Sequence, residues 1–390
     1  MDLDFYKNFL KSNYPQACQF LKQKHSQILF FNESINLPIS IYKQMEKTVQ
    51  VLYRLKNNKN YQKNLLSLNL SFKTPPYLQQ KIEQNQKDSN SVLMAYDFHL
   101  HDNTVKLIEI NTNASAFLLV NSFYQIKNLE YKKSLEKLKS SFQNEWNIFN
   151  NKKVNPKKVV LIDKEPLKQK MVLEFFMYKD FFQSMGWDME ILDSKDIKTD
   201  NKYQLYTPKD EKIDFIYNRS TDFYFKNHPL LAKAYQKNTC LILPQPKDYF
   251  LLADKNRMID WMSKYETELK EIRHNLLETK LLNFNNKENL WKNRKKYFFK
   301  ICQGYGGKMA YRGANLSHKK FEELFQYNSI AQKYIAPSKI KDSNQEEWKI
   351  DLRAYVYKDQ IQQLAGRVYQ GQLTNFKATG SGFAIVKIKE

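Results

Sequence analysis

Only one glycine, Gly186, precedes position 304 in this 390-residue chain; the other eight fall between Gly304 and Gly382. Four of them, Gly304, Gly306, Gly307 and Gly313, lie within ten residues. Glycine lets backbone adopt positive φ or approach a ligand closely. A glycine-poor chain that concentrates the residue in one stretch must need special backbone geometry there. A bound ligand is the expectation.

The length allows two or three structural units, because single cores rarely grow past about 250–300 residues. No apolar run reaches the roughly 18 residues that read as a membrane span, and Met1-Asp2-Leu3-Asp4 does not open a secretory signal. The expectation is a soluble cytoplasmic protein with no membrane partner. Cys18, Cys240 and Cys302 lack CxxC spacing, so they read as free thiols. Lys and Arg exceed Asp and Glu to give a net charge of +22, which points either to a generally basic surface or to a polyanion or peptide partner. Oligomeric state is not legible.

The chain divides into regions 1–90, 91–150, 151–250 and 251–390. The first reads as amphipathic helices, with Ile41, Met45 and Val49 at helical spacing. From Val92 to Asn111, two alternating runs flank His101-Asp102-Asn103-Thr104, a hairpin signature, and a long helix is expected from Ser115 to Asn150. In the third region, Val159 to Ile162, Met189 to Leu192, Phe215 to Tyr217 and Cys240 to Leu243 read as strands of a parallel βαβ-type sheet, with helix from Leu167 to Met185. The last region reads as α+β.

A three-residue hairpin loop would set Asp97 opposite Glu109. Period-two alternation then places Asp97, His99 and His101 on the same face as Glu109 and Asn111. Carboxylates facing each other repel unless a positive group lies between them. Oxygen donors of this kind suit Mg2+ or Mn2+. A solvated hairpin face is the plain alternative, and zinc on His99 and His101 is a weaker one.

Lys300 interrupts the apolar strand Tyr297 to Cys302, and an anionic phosphate would explain a lysine there. Gly304-Tyr305-Gly306-Gly307-Lys308 follows at once and can wrap backbone N–H groups around phosphate oxygens. Its spacing is neither GxxxxGK[ST] nor a helix-opening GxGxxG. A tight hairpin is the ordinary reading of that loop, and a solvated first-turn lysine that of Lys255.

Taken in order, these segments resemble the circularly permuted ATP-grasp superfamily, as found in eukaryotic-type glutathione synthetases and, more distantly, glutathionylspermidine synthetases. The carrying residues are Asp97, Ile108-Glu109-Ile110-Asn111-Thr112, Val159-Val160-Leu161-Ile162-Asp163, Phe215-Ile216-Tyr217-Asn218-Arg219, Lys255, and Lys300 with its glycine loop. The likeness runs from Ser91 to Lys387.

The resemblance implies an α/β and α+β chain, a circularly permuted ATP-grasp fold with an additional parallel α/β (pre-ATP-grasp) domain at 151–250. Asp97, Glu109 and Asn111 would hold two Mg2+ ions. Lys255, Lys300 and the Gly304, Tyr305, Gly306, Gly307, Lys308 loop would hold ATP phosphates. Gln332, Tyr334 and Ile335 would line the adenine hinge, and Arg353, Arg367, Asn375 and Lys377 would serve catalysis. Where glutathione synthetases carry an arginine two residues before the metal Asp, this chain has Ala95. Their closing Arg-Thr-Lys is Asn375-Phe376-Lys377 here. Arginine's fork recognises carboxylates, so a carboxylate other than the glutathione precursors is expected.

The implied reaction is ATP-dependent joining of a carboxylate to an amine through an acyl-phosphate. An ATP-grasp enzyme that stops at phosphoryl transfer and a non-catalytic nucleic-acid or polyanion binder are the competing expectations. Alanine at Asp97 or Glu109 should abolish ADP release with little unfolding.

Overall fold

The computed structural model describes residues 3–23, 29–67, 74–84, 89–129, 132–151, 154–303, 309–372, 374, 376 and 378–390. The chain forms two compact units, each assembled from separate stretches: Met1–Ile28, Thr74–Met94 and Thr112–Tyr249 in the first, Leu29–Lys73, Ala95–Asn111 and Phe250–Glu390 in the second.

The first unit is built on a four-stranded parallel sheet. Val159–Asp163 lies between Met189–Asp193 and Phe215–Asn218, and Leu241–Leu243 adds the far edge. Val159, Val160, Leu161 and Ile162 are all fully buried, as an uninterrupted apolar run in a parallel sheet requires. Helix Val172–Ser184 packs beside it and ends at Gly186, whose φ of +74° supplies the left-handed stop. Two carboxylates on this helix cap other helices. Asp180 accepts from the backbone N–H groups of Gln16 and Ala17, at the start of helix Pro15–Gln23. Glu174 accepts from those of Ala116 and Leu118, at the start of helix Phe117–Ile126. In place of one long helix from Ser115 to Asn150 there are two, Phe117–Ile126 and Lys132–Asn150. Asn128 adopts a left-handed φ of 51° between them.

The second unit contains two antiparallel sheets. The larger runs Gly382–Ala384, Gln360–Tyr369, Glu347–Tyr357, Met94–His101, Thr104–Asn111, with Ser338–Lys341 paired to Glu347–Tyr357. Helix Ile39–Asn57 packs on this sheet through Ile41, Met45, Val49 and Leu52, the stripe its spacing predicts. The smaller sheet orders Thr279–Leu281, Ser329–Lys333, Tyr297–Ile301 and Ala310–Arg312. Its core joins Phe299, Phe321, Leu324 and Ala331.

Two late glycines have a packing explanation rather than the ligand expected from their clustering. A Cβ on Gly313 would stand 1.9 Å from the Arg294 carbonyl oxygen, and one on Gly382 would stand 2.5 Å from the Leu29 carbonyl carbon. Gly313→Ala should therefore destabilise the fold by about 1–3 kcal/mol, read as a lower urea midpoint. Gly304, Gly306 and Gly307 lie outside the described residues. No helix among the described residues is long and apolar enough to cross a membrane.

Candidate active site

The hairpin that carries the acidic residues turns on two residues, not three. Asp102 and Asn103 have φ of 46° and 56°, the doubly left-handed pattern of a tight hairpin turn. This sets Phe98 opposite Leu107 and His99 opposite Lys106. Between Asp97 and Phe98 the register shifts by one residue, because Ile108 is an extra residue on the second strand. The bulge brings Glu109 back opposite Asp97, and Asn111 opposite Ala95.

It also turns a carbonyl to use. The Ile108 oxygen accepts from Lys300 Nζ at 3.4 Å and from Gln332 Nε2 at 3.2 Å. Lys300 also donates to Gln332 Oε1 at 3.0 Å. The smaller sheet is thereby tied to the acidic hairpin at the residue beside Glu109.

Asp97 is fully buried and saturated with donors. Arg353 grips it with both ends of its fork, Nε to Oδ1 and Nη2 to Oδ2, each at 2.8 Å. Arg367 Nη2 lies 3.1 Å from Oδ2, and Arg367 Nε reaches Asp351 Oδ1 at 2.5 Å. Asp351 stands directly across from Arg367 on the paired strands and also accepts from Thr374. The Asn111 amide lies 3.3 Å from both Asp97 Oδ2 and Glu109 Oε1.

Glu109 is more open, with 27% of its side chain exposed, and its Oε2 lies 3.8 Å from Lys255 Nζ. Lys255 is buried, so the solvated first-turn lysine is not what the structure contains. Burial by itself would lift the Glu109 carboxyl. The charges of Lys255, Lys300 and Arg367, with the Asn111 hydrogen bond, outweigh it and hold the group at about 2. Lys300 is pulled the other way: burial lowers it to about 8, against the opposing pull of Glu109. Burial also lowers His99, whose Nδ1 meets the Ile335 carbonyl at 3.0 Å.

The structure thus gathers Asp97, Glu109, Asn111, Lys255, Lys300, Gln332, Arg353 and Arg367 on one face of the second unit. The Tyr334 ring lies 4.5 Å from the Arg312 guanidinium. Tyr305, Lys308, Asn375 and Lys377 lie, with the glycine loop, outside the described residues. Asp351 and Thr374 escaped sequence reasoning. The signal for Asp351 was its place two residues before Arg353, on the same strand face.

The arrangement is one of acidic oxygens held among cations, able to accept a highly charged anion at its Lys255 and Lys300 side. No group of three His, Cys, Asp or Glu side chains placed to hold a metal occurs among the described residues; Glu109 and Asp97 have an amide as their third oxygen-bearing neighbour.

No protein-family model matches the sequence, and no curated protein sequence does. Among solved structures, the chain is similar along its whole length to a glutathione synthetase-like effector from Globodera pallida. That match covers 100% of this chain and 98% of the other, with a TM-score of 0.56 and 11% identity. The fold is ATP-grasp-like. A second similar structure, a Methylobacillus flagellatus protein provisionally assigned as a gamma-glutamylcysteine synthetase, covers 85% of each chain at 9% identity with a TM-score of 0.45. In this fold the acidic hairpin and the lysine strand come from stretches nearly 200 residues apart in sequence, as the Lys300 to Ile108 hydrogen bond records.

Proposed function

We propose that the chain is an ATP-dependent carboxylate–amine ligase with the chain order of a circularly permuted ATP-grasp enzyme, the second unit forming the nucleotide fold and the first, with its parallel sheet, the additional α/β domain. The observation that carries this reading is the meeting of Lys255 and Lys300 with Glu109 and Asn111 on one face. Cations for polyphosphate stand there beside oxygen donors for a hard cation.

The donor set fits Mg2+. Glu109 and Asn111 offer accessible oxygen ligands, and Asp97 lies alongside, with its own oxygens engaged by arginine. When bound, Mg2+ would offset phosphate charge during transfer. Lys255 and Lys300 would hold phosphate oxygens, the Gly304 to Lys308 loop would cover them, and Gln332, Tyr334 and Ile335 would border the base. Arg353 and Arg367 are rigidly held by Asp97 and Asp351, and each keeps N–H donors beyond those already used. They would stabilise charge on the transferring phosphoryl group without reorganising. The acid's carboxylate oxygen attacks the γ-phosphorus and ADP departs. The amine then attacks the acyl carbon, phosphate leaves with the C–O bonding pair, and the amine's proton is lost to give an amide. Asn375 and Lys377 are placed by the proposal at the acceptor end.

The test is an ADP-release screen of amino acids, small peptides and amines with Mg2+, followed by mass spectrometry. The expected product has the summed mass of acid and amine less one water. Hydroxylamine-trapped acyl-phosphate without an amide would assign a phosphotransferase instead. A folded protein that binds no ATP in calorimetry would overturn the reading.

Nucleotide affinity should also depend on pH in a direction fixed by Lys300. With its ammonium lowered to about 8, the positive charge is present below that pH and is lost as pH rises through it. Affinity should be level from pH 6.5 to 7.5 and should then weaken, by up to about tenfold per unit, towards pH 9.5. Lys300→Arg, which keeps its charge throughout, should flatten that profile.

A further inference from the structure

In the first unit, three side chains outside the cationic–acidic face line up in a row. His228 Nε2 lies 2.8 Å from Ser194 Oγ, and His228 Nδ1 lies 3.0 Å from Asp222 Oδ2. Asp222 is a poor proton donor and a strong acceptor. Burial would raise its carboxyl, but the hydrogen bond from His228 and the backbone N–H groups of Asn227 and Lys226 keep it below the usual carboxylate range. An ionised carboxylate fixes the proton on Nδ1, so the Nε2 lone pair faces the serine hydroxyl.

The fold explains how the three meet. Ser194 follows strand Met189–Asp193 and opens the short turn Ser194–Asp196. Asp193 holds that turn by accepting from the backbone N–H groups of Lys195 and Glu165. Asp222 and His228 belong to the loop after Phe215–Asn218, on the far side of the central strand Val159–Asp163. All three therefore sit outside the carboxyl edge of the parallel sheet, where open α/β sheets bind ligands. The His228 side chain is 21% exposed and Asp222 10%, so the imidazole is reachable while its orienting carboxylate is shielded. Ser194 is 8% exposed, which favours small acyl groups over bulky ones.

We propose that Ser194, His228 and Asp222 form a second reactive centre, a serine nucleophile with its base and orienting acid, which takes small acyl groups from esters. As Oγ bonds to the acyl carbon, its proton passes to His228 Nε2 and the carbonyl pair moves onto oxygen. The C–O bond to the alcohol then breaks, and the alcohol leaves with that pair and the proton from Nε2. Water repeats the sequence on the acyl-serine, releasing the carboxylic acid and restoring the hydroxyl.

The test treats the full chain with a small alkyl fluorophosphonate and, separately, with p-nitrophenyl acetate. Expected are a phosphonyl adduct located on Ser194 by peptide mass spectrometry, and acetate release that Ser194→Ala abolishes. Labelling should slow by about 100-fold or more in His228→Ala, the lower range for loss of a positioned base. It should also slow in Asp222→Asn. Chemically unfolded wild-type chain should not label at Ser194. A folded wild-type chain with no adduct there overturns the proposal, as does a labelling rate unchanged by His228→Ala. Because the readout is on wild type first, a variant that fails to fold does not shelter the idea, and ADP release is measured independently of either outcome.

Discussion

Asp97→Ala is expected to lower unfolding free energy by about 3–5 kcal/mol, the usual cost of breaking a buried charge pair by removing one partner. The carboxylate is fully buried and receives the Arg353 fork and one Arg367 donor. Removing it leaves the buried Arg353 guanidinium without its counter-charge. Under the proposed reaction, ADP formation should vanish as well, but through loss of the fold around the arginines as much as through chemistry. The sequence reading expected loss of activity with little unfolding, and the two guanidiniums revise it for this residue. Urea denaturation decides the matter: a midpoint within error of wild type would mean that the pair contributes nothing. The double replacement Asp97→Leu with Arg353→Met should recover much of the loss, since apolar groups of similar volume replace buried pairs at little cost.

Glu109→Ala should separate activity from stability. Its carboxylate is partly exposed, its lysine partner lies at 3.8 Å, and no fork holds it. A stability loss of about 1–3 kcal/mol, smaller than for Asp97→Ala, is expected, because buried Lys255 and Lys300 lose a counter-charge. Under the proposed reaction, ADP formation should fall by about 10²–10³-fold or more, the scale seen when one charge-stabilising group is removed from a reacting centre. With the Glu109 charge gone, the pull that keeps Lys300 protonated weakens, so nucleotide binding should start to fail at a lower pH than in wild type. Turnover equal to wild type would remove Glu109 from the site.

The parallel sheet was legible because Val159 to Ile162 is an unbroken apolar run, and local pattern decides such strands. The facing of Asp97 and Glu109 was legible only through two offsetting errors. A three-residue loop was assumed where Asp102-Asn103 makes a two-residue turn, and the bulge at Ile108 restored the difference. The apolar spacing of Val105, Leu107 and Ile110 carried the evidence: the interval of two becomes an interval of three where the extra residue sits. The partners of Asp97 were not legible. Arg353 and Arg367 are more than 250 residues away, and only the sheet order that sets Glu347–Tyr357 beside Met94–His101 brings them in. The same reason hides how the first 85 residues divide between the two units, because helical periodicity shows that a face is buried and not against what.

The Ile108 bulge has a consequence for how this hairpin tolerates insertion and deletion. Losing Ile108 alone would remove the bulge and leave Glu109 paired with Asp97 in regular register; what would go is the carbonyl that accepts from Lys300 and Gln332. Losing Ile108 while lengthening the Asp102-Asn103 tip by one residue would leave the spacing between Asp97 and Glu109 untouched. The facing of the two acids therefore follows from the pairing of Phe98 with Leu107, and the extra residue adds a carbonyl directed at the neighbouring sheet.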